Sequence, residues 1–115
     1  MIEEYTVTGG LRWGESYWSA GNVTWPFVTL RVNSERLWIR VRVWKLWQKV
    51  FEFTRSEIKG IRKHRGFISV GVVIEHNKGE YPPFILFWTF DYPKLKVELN
   101  RLGYQVLESV GREKK

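Results

Sequence analysis

Hydrophobic and polar positions alternate with a period of two along much of this chain, the pattern of half-buried strands. The alternation is cleanest over Leu37–Val43. Leu37, Ile39, Val41 and Val43 fall on one side, and Arg36, Trp38, Arg40, Arg42 and Trp44 on the other. Val23–Val32 precedes it, with Val28, Leu30 and Val32 inward and Thr29 and Arg31 outward. Pro26 places the start of that strand at an edge or a bulge. The short turn Asn33-Ser34-Glu35 joins the two as a hairpin. After a turn at Lys45–Gln48, Lys49–Thr54 sets Phe51 and Phe53 against Val50 and Glu52. Ser56-Glu57-Ile58 opens a fourth short element in which Ile58 and Ile61 face inward. A fifth strand covers Phe67–His76, where Gly71 marks a bulge or a crowded crossing.

The period changes once, between Pro82 and Tyr104. Pro82-Pro83 cannot sit in a central ladder, so the strand runs from about Phe84 to Phe90, apolar on both faces and covered on both. It turns at Asp91-Tyr92-Pro93 into a short helix. Asp91 suits an N-cap whose carboxylate accepts free amide protons, and Pro93 suits the first turn. Leu95, Leu99 and Leu102 form one apolar stripe, and Lys94, Lys96, Glu98 and Arg101 fall away from it. Gly103 supplies the left-handed stop.

The segment before Gly21-Asn22 is less regular. Residues 2–8 read as a short edge strand broken by Gly9 and Gly10. Leu11–Ala20 reads as an irregular stretch lying against the outside of the sheet. The tail loses periodicity after Leu107 and is expected to fray over 108–115. These readings predict one mainly β domain over 1–115, with an irregular segment over about 1–22. The architecture expected is an antiparallel sandwich or barrel of six to seven strands capped by one C-terminal α-helix.

Composition narrows the classes. Aromatic residues make up 17% of 115 residues, including 7 Trp, too many for a disordered chain. Without cysteine there is no disulfide framework and no thiolate chemistry. No apolar run reaches the ~18 residues that span a bilayer, and the acidic, polar start is not a signal peptide. A cytoplasmic location is expected. The net charge is +7, and it is concentrated: Arg31–Arg65 holds eleven basic and three acidic residues. Such a field draws an anionic partner, although a solvated, soluble strand surface has the same composition.

Several pieces resemble the pleckstrin-homology-like superfold in its small prokaryotic form, related to GRAM-type and bacterial PH domains. They are the strand start Trp25-Pro26-Phe27 with Leu30; Phe51 and Phe53 followed by Ser56-Glu57-Ile58 and Ile61; the strand Gly71–His76; and an aromatic strand running into a helix that ends in Gly103-Tyr104. The resemblance spans about Val23–Val106. It implies a binding or scaffold fold whose partners include lipid headgroups, phosphopeptides, proline motifs and proteins. Lipid-binding members carry basic residues on the first hairpin. Here that loop, Asn33–Arg36, is short and lacks a cluster.

The residues offer no converging catalytic or metal constellation. His64 lies in the basic stretch, and His76 beside Glu75 points to the opposite side of a strand, so no ligand set converges. Ser56 with Glu57 reads as a turn cap rather than a nucleophile and base. No glycine-rich phosphate loop leads into a helix. The chain is read as a non-enzyme needing no cofactor or metal. Its sharpest feature is aromatic and basic interleaving: Trp38, Arg40, Arg42 and Trp44 on one strand face, with Arg31 across from them. The plainer alternative buries Trp38 and Trp44 under the N-terminal segment beneath the aliphatic stems of the arginines. The leading expectation is a non-catalytic module for a protein or peptide partner, with a homo-oligomer through this face as one form of it. The other is an anionic partner, single-stranded nucleic acid or acidic membrane, held by Arg31, Arg40, Arg42, Lys59, Arg62, Lys63 and Arg65.

Overall fold

The computed structural model describes residues 3–16, 18–45, 47–66 and 69–108. The first strand, β1 (Glu4–Gly14), pairs antiparallel with β2 (Ala20–Asn33) from Glu4 opposite Asn33 to Gly14 opposite Ala20. The N-terminal segment is therefore one long strand rather than a short strand followed by an outer layer: over Glu4–Gly9 its ladder runs to β2 alone, and a second neighbour joins it from Gly10 on. Gly9 and Gly10 do not break β1; they let it pass close to a neighbour. A Cβ on Gly9 would stand 2.1 Å from the Trp88 carbonyl oxygen, and one on Gly10 2.2 Å from the Trp88 ring. The ladder skips from Gly9 opposite Val28 to Leu11 opposite Val23. Thr24–Phe27 form the bulge, and Pro26, cis after Trp25, sits in it as the missing donor requires.

Next come β3 (Arg36–Val43) and β4 (Trp47–Thr54), a 3₁₀ turn (Arg55–Glu57), β5 (Ile58–Arg65), β6 (Val70–His76) and β7 (Phe84–Thr89). The helix α1 (Tyr92–Arg101) follows, and then β8 (Val106–Leu107). One sheet holds them all, in the order β4-β3-β2-β1-β7-β6-β5-β8. It has eight strands, not six to seven. It is mixed, because β8 runs parallel to β5, and it is not closed. Just ahead of the expected tail, Val106 donates its N–H to Asn100 Oδ1 and pairs with Ile61. The frayed tail expected beyond residue 108 lies outside the described residues, as do Tyr17, Leu46, Phe67 and Ile68.

One core joins the two halves of the sheet. Leu11, Leu30, Leu37, Ile39, Phe51 and Phe53 from β1–β4 share it with Ile61, Val72, Ile74, Ile85 and Phe87 from β5–β7. The sheet must bend over for these faces to meet. Small residues line up across the middle strands: Gly10 on β1 pairs with Trp88 on β7, which pairs with Gly71 on β6. A Cβ on Gly71 would stand 2.1 Å from the Phe87 carbonyl oxygen, so the crowded crossing expected there is present.

Leu95, Leu99 and Leu102 of the helix stripe are buried in the same core. Asp91 occupies the N-cap, but its side chain makes no capping hydrogen bond; only its carbonyl serves, accepting from Leu95 N–H at 3.1 Å. Gly103 ends the helix at φ +96°. Tyr104 then donates its hydroxyl to the Asn33 carbonyl at 2.7 Å, tying the helix end to the β2–β3 turn. The outer face of β7 is only partly covered. Leu86 is buried, whereas Phe90 lies beyond the strand and is 65% exposed. Among the described residues, no helix is long and apolar enough to cross a membrane.

Candidate functional site

Strict alternation along β3 divides its residues between core and solvent. With Leu37, Ile39 and Val41 in the core, Trp38, Arg40 and Arg42 must face outward. Register extends this outer surface sideways. Trp38 lies between Arg31 of β2 and Glu52 of β4, Arg40 between Thr29 and Val50, and Arg42 beside Gln48. Thr6, Thr29, Arg31, Trp38, Arg40 and Val50 line a shallow depression of about 390 Å³. The Arg31 guanidinium stacks on the Trp38 ring, 4.1 Å from its centroid, while its Nε lies 3.5 Å from Glu4. Trp38 is half-buried beneath that stem. The N-terminal segment covers neither tryptophan, because it lies within the sheet. Trp44, at φ 59° in the turn, is 75% exposed.

The remaining predicted residues lie on β5, separated from β3 in the sheet by β2, β1, β7 and β6. They do not form one patch. Arg62 turns to Glu75, with Nε to Oε2 at 3.2 Å. Lys63 faces the helix instead, 3.3 Å from Glu108 and over the Tyr92 ring. Burial, with the nearby Glu108 charge adding, pushes the Tyr92 hydroxyl up to about 12. Lys96 and Lys63 together hold Glu108 below the usual carboxylate range. Lys59 and Arg65 are exposed. Their neighbour His64 is held below its ordinary value by burial.

The hairpin cations differ. From Arg40 to Val50 the sequence contains no acid. Arg40, Arg42, Lys45 and Lys49 have no carboxylate partner among the described residues, whereas Arg31 and Arg36 do. Lys49 lies on the inward side, its ammonium 5.1 Å from the Phe51 ring centroid. Beside it, Trp47 stacks on Trp13 at 6.0 Å, closing that end of the core. The alternation in the sequence points to the tryptophans and arginines of β3 but not to Trp47, Gln48, Lys49 and Val50. The acid-free run was the available signal.

β4 is an edge of the sheet, and part of its edge is occupied. Glu52 donates its N–H to the Tyr81 hydroxyl at 3.0 Å and accepts from Lys78 Nζ at 2.9 Å. Thr54 donates its N–H to Glu57 Oε1 at 2.8 Å, which with a Lys78 contact holds that carboxyl below its ordinary value. Ser56 and Glu57 therefore serve the turn. His76 accepts Lys78 N–H at Nδ1, so its Nε2 carries the proton shared with the Pro82 carbonyl at 2.9 Å. Among the described residues, no group of three His, Cys, Asp or Glu could hold a metal ion. No protein-family model matches the chain, and no curated protein matches it.

Proposed function

We propose that this chain is a non-catalytic, pleckstrin-homology-like binding module of the cytoplasm, and that its partner is a protein or peptide. The observation that carries the reading is the outer face of β2–β4. There a depression framed by Trp38, Arg31 and Arg40 lies beside the exposed Val50. Aromatic residues and arginine are the types that concentrate binding energy at protein interfaces. The bent sheet plugged by a C-terminal helix supports the architectural part of the reading, and the lack of cysteine suits the cytoplasm. Selection of displayed random peptides on the immobilised chain tests it. Enriched peptides should lose most of their affinity for a Trp38→Ala, Arg40→Ala variant. Peptides indifferent to that variant would place the site elsewhere.

A second reading follows from the unpaired Arg40, Arg42, Lys45 and Lys49. They suit an anionic partner, either single-stranded nucleic acid or an acidic membrane surface. An oligonucleotide held by phosphate contacts loses affinity steeply with salt. Binding that survives moderate salt unchanged excludes this reading.

A further inference from the structure

The orientation of the β4 backbone carries a more specific conclusion. In an antiparallel pair, alternate residues turn their N–H and C=O groups to the same side. Glu52 and Thr54 point theirs away from β3, as their bonds to Tyr81, Lys78 and Glu57 show. Gln48 and Val50 have the same parity, so their backbone groups point to the same open edge. Among the described residues nothing bonds to them there. The open edge thus begins where the Tyr81 and Lys78 contacts stop, and it offers two donors and two acceptors at residues about 6.6 Å apart.

We propose that an acidic peptide in extended conformation docks here as an added strand beside β4, antiparallel or parallel, bonding to Gln48 and Val50. This rests on the peptide-partner reading above and names the partner's chemistry. An added strand places alternate side chains on the two sides of the sheet. The edge carries unpaired cations on both. Arg40 and Arg42 lie outward, directly across Val50 and Gln48, and Lys49 lies inward beside the exposed Trp47. Acids on either side of an incoming strand therefore meet a cation. A nucleic acid lying on the outer face would reach the arginines but not Lys49, and it has no backbone ladder to offer Gln48 and Val50. A second copy of the chain is disfavoured by charge, since pairing two β4 edges brings Lys49, Arg40 and Arg42 against their equivalents.

The test is an amide-shift titration of isotope-labelled protein. The probes are a pool of peptides of about ten residues with Glu alternating with Val or Thr, the same pool N-methylated at every residue so that neither edge keeps its donors, and oligodeoxythymidine. The expected result is that the first pool moves the Gln48 and Val50 amides and slows their hydrogen exchange. N-methylation, which removes the peptide's ladder donors, should weaken binding about tenfold or more. Arg42→Glu with Lys49→Glu should weaken it about as much, with the unfolding midpoint retained. Equal binding by the N-methylated pool, to within about twofold, overturns strand addition. If that binding is lost in the Trp38→Ala variant, the surface reading survives without it. Response to the oligonucleotide alone overturns the peptide class. Silence towards both peptide pools overturns the proposal, and the displayed-peptide selection then decides whether the broader reading falls with it.

Discussion

Gly71 shows how one missing methyl group shapes this molecule. The space a Cβ would need is filled by the backbone of β7, which cannot swing aside as a flexible side chain could. Gly71→Ala is expected to cost about 1–3 kcal/mol by overpacking. Gly79→Ala, where nothing lies within 4 Å, should be close to neutral. Denaturant unfolding of the pair checks this, and equal stabilities would refute the crossing as its cause. His64 pairs with Gly71 on the neighbouring strand and is held neutral by burial. Its folded value lies below the unfolded one, so the unfolded chain takes up the proton first as pH falls. Its contribution is complete above about 6.5 and declines as pH drops below that. His64→Gln should flatten the loss of stability between neutral and mildly acidic pH; an unchanged pH profile would show that other groups cause it. The Gly71 crossing was legible in the sequence. The Gly9-Gly10 pair was not, because a doublet that breaks a strand looks the same as one that admits a close neighbour. What distinguishes them is Trp88, almost eighty residues away.

Elements legible from local pattern formed as expected. β3 alternates without exception, α1 has its leucine stripe, and both occupy the core that those patterns imply. β8 had no such signal, being two residues whose ladder lies on distant β5. What positions it is the helix end. Gly103 turns the chain, the Arg55 guanidinium bonds to the Gly103 carbonyl and stacks on the Tyr104 ring at 4.7 Å, and the Tyr104 hydroxyl reaches Asn33. Tyr104→Phe keeps the ring but leaves the buried Asn33 carbonyl without this donor. The expected loss is about 1–3 kcal/mol, read as a lower denaturation midpoint with an unchanged denaturant slope. A neutral result would mean that water replaces the hydroxyl there.

Across the whole molecule, the basic excess was legible but its distribution was not. Arg31–Arg65 is a single basic stretch in the sequence, yet the sheet order puts β3 and β5 in different halves. On β5, Arg62 and Lys63 are engaged by Glu75 and Glu108 while Lys59 and Arg65 are exposed, so the continuous run of cations without a carboxylate partner among the described residues is on the β3–β4 hairpin. Register alone sets this, and register depends on pairings that composition does not encode. Charge on an open edge also guards against self-pairing. Lys49→Val is accordingly expected to make the protein self-associate with rising concentration, as sedimentation velocity would show. A variant that stays monomeric at every concentration would assign that protection elsewhere.

The central place of β1 has a consequence during synthesis. Gly10–Gly14 acquires its second neighbour only when Phe84–Trp88 has been made, about seventy residues later. At 5–20 residues per second, that is an interval of roughly 4–14 s. For the last part of that interval, after Thr54 and before Phe84, the nascent β1–β4 unit has two open sides, one at β4 and one at β1. Arg12, in the middle of the waiting segment, puts a charge on the side that closes last.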